Sequence, residues 1–318
     1  MASNSTKEIK RHQRSIGNTQ KITRAMEMVS AVKMRKSQSV ALAARPYSQT
    51  ALAILQRLAH LYEQDYETQD ILRDNLFFRK KESGAVLLIL IAPERGLVGG
   101  LNSTLFAYVK KRAEHLQQNN TPIFGISVGA KARPIFSKLN IEVQHEFSNN
   151  KDWVSPEDIR PITEMITERY KTEDIQSVIA FYTEFFSTLK QSPSQRTLLP
   201  IQIQSIEDII ESIAPTEGKW SQEETNTDAT TDPDYIFEPD IKTMVDEIVP
   251  FLLEITTYHI FLEAQASEHS ARMVAMRNAS QNASRILDEL TLSYNKARQR
   301  AITQEISEVS SGAEALSF

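Results

Sequence analysis

The stretch Phe251–Ser311, FLLEITTYHIFLEAQASEHSARMVAMRNASQNASRILDELTLSYNKARQRAITQEISEVSS, contains neither glycine nor proline. A helix of that length would run about 90 Å at 1.5 Å per residue. That is longer than an ordinary domain is wide, so such a helix cannot be enclosed in one. From Ile248 through Leu252, Met273, Ala283 and Leu290 to Ala301, small and apolar residues recur at spacings built from threes and fours. A stripe of this kind buries one helix face against a partner helix. Many of its positions are Ala or Met, which permit close approach.

The partner is at the other end of the chain. Residues 18 to 45 are also free of glycine and proline, and Ile9, Ile16, Ile22, Met26, Val29 and Val32 repeat with similar spacing. The pattern continues through Val40, Tyr47, Leu55 and Leu61. Pro46 is expected to kink the first helix or start a new one, and Pro250 to do the same near the start of the last.

Between these ends the pattern changes. Six of the nine glycines fall between Gly84 and Gly129. Ala85-Val-Leu-Leu-Ile-Leu-Ile-Ala92 is a continuous apolar run, the signature of a parallel strand buried on both faces. Strands are predicted at Pro122–Val128, Ile141–Phe147, Ser177–Phe185 and Leu198–Ile203. Helices are predicted at Ser103–Gln118, Ala130–Leu139 and Pro156–Tyr170. This alternation indicates a small α/β sheet domain. From Glu207 to Asp240 there are eleven acidic residues against one Lys, the composition of a solvated connection. The fold class is therefore α/β plus a long antiparallel two-helix coiled coil formed by the N- and C-terminal helices, with a small Rossmann-like central sheet domain. The divisions expected are 1–75 for the first coiled-coil helix, 83–204 for the α/β domain, 205–238 for the acidic loop and 239–318 for the last helix.

The chain has no cysteine, which excludes disulfides, thiolate metal sites and thiol nucleophiles. Its 318 residues carry a net charge of −5, too mild to suggest a nucleic-acid binder. The longest apolar run falls far short of the roughly 20 residues a membrane span needs. No secretory signal pattern stands at the N-terminus. The six histidines show no metal-ligand spacing, so neither metal nor cofactor is expected.

Two motifs raise the question of chemistry. Gly125-Ile-Ser127-Val-Gly129 matches the nucleophile elbow of α/β hydrolases. His145 is the one His that follows it inside the α/β region, just one acid, Glu142, stands between them, and only one strand precedes the motif, so a glycine-lined turn from strand to helix is the better reading. Arg95-Gly-Leu-Val-Gly-Gly100 opens a helix, as phosphate-binding loops do. It lacks the spacing of either nucleotide fingerprint. It reads as a structural turn with Asn102 or Ser103 as N-cap. Charge is uneven: nine Lys or Arg stand against two Glu between Lys7 and Lys36. Arg272, Arg277, Arg285, Lys296, Arg298 and Arg300 lie near the far end, so antiparallel pairing brings both basic runs to one end. Few aromatics interleave them, which disfavours nucleic acid as partner.

The residues that settle the family are longer motifs. Asn18-Thr-Gln-Lys-Ile-Thr-Arg-Ala-Met-Glu-Met28, continuing to Ser37, resembles the N-terminal signature of F-type ATP synthase gamma subunits of the bacterial type. Arg95–Asn102 resembles that family's central turn, and Tyr235–Asp240 its entry to the last helix. Glu268–Met276 and Tyr294–Glu305 resemble its C-terminal signature. The resemblance covers nearly the whole chain, in order. It implies a non-catalytic central stalk, one copy per complex, transmitting torque between a membrane c-subunit ring and a catalytic alpha/beta head. It further implies an epsilon-subunit partner, no membrane insertion of its own, and a place on the cytoplasmic face of a bacterial inner membrane. By the same resemblance, Arg298 and Gln299 contact a beta-subunit loop, with Thr303 and Glu305 one turn on. Arg272 is a second contact and Met26 faces the beta-subunit lever. Tyr235, Phe237 and Glu238 belong to the foot on the c ring. A shaft turning in a sleeve is further expected to point few large apolar residues outward. A coiled-coil scaffold unrelated to ATP synthesis and a hydrolase built on Ser127 are the alternatives.

Overall fold

The computed structural model describes residues 2–64, 75–79, 81–148, 154–172, 174–201 and 240–316. The chain divides into two compact units, one of residues 1–32 with 272–318, the other of residues 33–271. Two long helices, α1 (Ala2–Gln64) and α5 (Ile241–Leu316), contribute to both. Neither proline breaks its helix: α1 continues across Pro46 and α5 contains Pro250. The new start expected at Pro46 is absent.

In the 33–271 unit the sheet is built around β1 (Ala85–Ile91), all seven of whose residues are buried. It pairs in parallel with β2 (Ile123–Val128) on one side and β4 (Ile175–Phe185) on the other. β3 (Glu142–Phe147) lies outside β2, and β5 (Gln191–Leu199) runs antiparallel to β4, giving the order β3-β2-β1-β4-β5. Successive side chains of a strand alternate between faces. Val86, Leu88 and Leu90 therefore meet Leu105, Val109 and Phe136 from α2 (Leu101–Gln118) and α3 (Ala132–Lys138). Leu87, Ile89 and Ile91 belong to the opposite core, with Ile162 and Ile166 of α4 (Pro156–Thr172) and Val249, Leu253 and Ile260 of α5. Both faces are covered, which is why β1 reads as an unbroken apolar run. Each fully buried aliphatic side chain here contributes about 1.5–3 kcal/mol.

Helix ends are set by local chemistry. Ser155 N–H and Oγ both donate to the Asp158 carboxylate at the start of α4, and the acidic first turn favours the helix dipole. Asp240 accepts from the Thr243 amide and hydroxyl, which starts α5 and holds its carboxyl below the usual range. α2 differs from expectation. Its N-cap is Gly100, and Ser103 Oγ folds back to donate to the Gly100 carbonyl at 2.7 Å.

The last strand also departs from the sequence reading, which placed it at Leu198–Ile203. β5 begins at Gln191 and includes Pro193, which an edge strand tolerates because its outer side needs no ladder hydrogen bond. Gly125 and Ser127 lie inside β2, and only Gly129 is in the turn. At Gly129, φ is +83° and its N–H donates to the Phe147 carbonyl at 2.8 Å, while an added Cβ would overlap the Ala92 carbonyl oxygen. Gly17, within α1, has nothing near it.

Gly129→Ala is therefore expected to lower stability by about 2–3 kcal/mol through positive φ and backbone overlap. Gly17→Ala should raise it by about 0.5–1 kcal/mol as a helix substitution. Urea unfolding of the full chain reads both signs.

Candidate functional site on the helix pair

In the unit formed by the chain ends, α1 and α5 run antiparallel. Gln13 Nε2 donates to Thr291 Oγ1 at 3.1 Å, and Arg277 Nε donates to Glu27 Oε1 at 2.8 Å. Both pairs place residue i of α1 opposite about residue 304 − i of α5. By that relation no described residue of α1 faces the part of α5 beyond about residue 302.

The seam is small and partly polar. Thr23 and Ser30 of α1 are buried, as are Met273, Met276 and Ala283 of α5. Ile9, Gln13, Ile16 and Gln20 lie half-buried on the same seven-residue repeat. That repeat is the geometry of two helices wound about each other. From Ile16 it steps to Thr23, not Ile22. Ile22 and Val32 are consequently each 60% exposed, and Met28 and Val29 also face outward. On α5, Leu292, Ile302, Ile306 and Val309 are exposed, the last two at 64% and 68%. The expectation of few outward apolar residues is corrected by these side chains.

Around these ridges the surface is basic. Lys7, Lys10, Arg11, Arg14, Lys21 and Arg24 are exposed on α1, and Arg285, Lys296, Arg298 and Arg300 on α5. Among the described residues of this unit, Tyr294 is the only aromatic of the Phe, Tyr and Trp class, too few for a base-stacking platform. Apolar ridges in a positive field suit a protein partner with an apolar, acidic surface.

The predicted contact residues fall into two groups. Arg298, Gln299, Thr303 and Glu305 are all exposed within two turns of α5. Met26 is half-buried at a level opposite about residue 278, and Arg272 is 8% exposed nearby along α5. At 1.5 Å per residue the groups lie about 30 Å apart along the pair. Tyr235, Phe237, Glu238 and the acidic 205–238 segment lie outside the described residues. The outward ridge on α1 was missed from sequence. Counting sevens from Ile9 would have found it.

The hydrolase alternative fails on geometry. Ser127 is 2% exposed in β2, in register with Glu146 of β3. His145, the next residue along β3, points to the opposite face of the sheet and is exposed. The histidine cannot reach this serine from there.

A family described as ATP synthase matches residues 5–316. The ATP synthase gamma chain of Moorella thermoacetica is 37% identical over 312 residues, covering 98% of each chain. That of Leptospira biflexa is 33% identical over 311 residues, covering 98% of this chain and 99% of the relative. The chain belongs to the ATP synthase gamma chain family. The gamma-chain fold is also found in solved structures. The central stalk and c-ring structure of Tetrahymena thermophila mitochondrial ATP synthase matches with TM-score 0.57 at 21% identity, over 81% of this chain and 99% of that one. The rotor of the Euglena gracilis mitochondrial enzyme gives TM-score 0.58 at 18% identity, over 94% and 99%. In this gamma-family member the N-terminal motif Asn18–Ser37 lies in α1, and both C-terminal motifs lie in α5.

The Arg277–Glu27 contact supports the register of the pair. A double-mutant cycle with Arg277→Ala and Glu27→Ala should give a coupling of about 0.5–1 kcal/mol, since Arg277 is half exposed. The coupling should shrink at high salt. Additive single-mutant effects in thermal unfolding would argue against the pairing.

Proposed function

We propose that this chain is the central rotary stalk of an F-type ATP synthase, carrying torque between a membrane ring of c subunits and a catalytic head of alpha and beta subunits. Ion flow turns the ring, the stalk turns with it, and ATP forms in the beta subunits. The observation that carries this reading is the helix pair itself. It presents a basic outer face with apolar ridges, and its α5 segment beyond about residue 302 offers the exposed Ile306 and Val309. Those features need an enclosing protein partner, and family membership supplies the class of partner.

The chain contributes contacts, not chemistry. Each orientation of an asymmetric helix pair presents a different surface to each surrounding subunit, and only such differential contact can shift a site from one conformation to another. Arg298 and Gln299 are the contacts to a beta-subunit loop, supported by Thr303 and Glu305. Met26 faces the beta subunit at the second level. Arg272 has too little exposed surface for a broad contact and orients that face from inside. An epsilon subunit and the c ring complete the rotor. The complex sits at the cytoplasmic face of a bacterial inner membrane, with one copy of this chain per complex. Among the described residues no helix is long and apolar enough to cross a membrane, which fits peripheral attachment through partners.

The test is co-expression with alpha and beta subunits, purification, and Mg-ATP hydrolysis. Omitting this chain should abolish assembly of an active complex. Arg298→Ala with Gln299→Ala should lower turnover about tenfold, equivalent to roughly 1.4 kcal/mol of lost transition-state stabilisation, while the chain keeps its fold. Unchanged turnover in the double variant would remove the contact assignment.

A further inference from the structure

In the 33–271 unit, α4 and the start of α5 pack into the same core, to which α4 gives Ile162 and Ile166 and α5 gives Val249, Leu252 and Leu253. Between them, on the outer side, runs an open groove of about 550 Å³. Arg160, Glu164, Glu168 and Lys171 line it from α4, and Phe251 and Glu254 from α5. Leu252 and Leu253 turn into the core, but Phe251 beside them is 49% exposed. A groove that leaves a large aromatic side chain in water has the form of a docking surface.

The charges decide what fits it. Residues 160, 164, 168 and 171 follow at spacings of four, four and three, so they form one stripe along α4. The stripe is about 17 Å long at 1.5 Å per residue, the length of a three-turn helix laid beside it. Arg160 does not turn along the stripe to Glu164. It reaches across the groove, with Nη2 3.4 Å and Nε 3.5 Å from the Glu254 carboxylate. Lys171 also turns away, its Nζ 5.2 Å from the centre of the Phe77 ring. The Glu164 and Glu168 carboxylates are left exposed one turn apart, and neither has an ion pair or hydrogen bond among the described residues. Like charges at that spacing repel each other. Two cations held at the same spacing on a facing helix would relieve the repulsion. A metal ion is not the fit, because among the described residues no three His, Cys, Asp or Glu side chains converge. The chain's own acidic stretch from Glu207 to Asp240 carries the wrong sign.

We propose that this groove docks a helix of a partner protein that presents two basic side chains one turn apart beside a large apolar one. The basic pair meets Glu164 and Glu168, and the apolar side chain covers Phe251. The Arg160–Glu254 bridge closes one end of the groove and sets how far the helix can slide. The inference uses α4 and α5 of the sheet-containing unit alone and does not depend on the stalk reading.

The test uses the purified full chain and a short fluorescent Ala-rich peptide with two Lys one turn apart flanking a Leu, followed by anisotropy. A second peptide of the same composition carries its Lys on opposite faces. The first should bind about fivefold more tightly than the second, and the difference should shrink at high salt. Glu164→Gln with Glu168→Gln should remove the difference, and Phe251→Ala should weaken the first peptide about tenfold, with thermal unfolding of each chain near that of the wild type. Because the chain has no cysteine, Thr167→Cys puts a unique thiol in the groove, and Lys110→Cys puts one on α2, across the sheet. Saturating peptide should slow maleimide labelling of the first thiol and leave the second unchanged. Equal affinity for the two peptides would overturn the proposal. So would a preference that survives the double Gln variant, or a Thr167→Cys chain labelled at the same rate with and without peptide.

Discussion

Two helices stay paired over many turns only if the side chains between them return to the same side every seven residues. In the unit made by the chain ends, that requirement selects Thr23 and Ser30 of α1 and Met273, Met276 and Ala283 of α5. These are small or adaptable side chains. They allow close approach but bury little apolar area each, so the pair depends on its number of layers and not on any one of them. The same requirement turns Ile22, Val29 and Val32 outward. Their exposure follows from the register that Gln13–Thr291 and Arg277–Glu27 record. The apolar ridge is therefore as rigidly placed as the seam, which is what a surface for a partner requires.

α5 serves two different cores with two different compositions. Between Val245 and Phe261 it buries Val249, Leu252, Leu253 and Ile260 in the core that contains Leu87 and Ile89 of β1. That core is wide, and large side chains fill it. Beyond Arg272 the buried positions are Met and Ala, suited to a single facing helix. The change from large to small residues along one unbroken helix marks where its task changes, and sequence alone displays it.

Much of this was legible because periodicity is a physical signal. β1 could be read because a strand covered on both faces leaves no polar position. α2, α4 and the two long helices could be read from spacing and from the absence of breakers. The errors share one cause, the use of an approximate period or a default. One residue around a helix is a rotation of about 100°, so following Ile22 in place of Thr23 moved the inferred seam onto the outer face. β5 was misplaced because an edge strand with polar residues and Pro193 lacks the apolar pattern of a covered one. The Gly125–Gly129 motif read as a glycine-lined turn, yet Gly125 lies within β2, where a Cβ would meet the Phe136 ring at 3.0 Å and so glycine is needed for packing. The contact residues Arg298 and Gln299 came from resemblance, since nothing in charge or spacing separates them from Lys296 or Arg300.

The polar groups where α5 packs beside β4 bear on fold specificity. An apolar helix face that slips by one turn along a sheet exchanges one set of apolar neighbours for another and loses little. α5 cannot slip so cheaply. A shift of one turn would take His259 and Glu263 away from Tyr182, Glu184 and Arg196 and leave charged groups among apolar ones. Stranding a buried charge costs several kcal/mol, comparable with the whole margin of stability of a domain. The cluster thus lowers the stability the seam could have reached with leucines, and in return it permits only one register of α5 on the sheet.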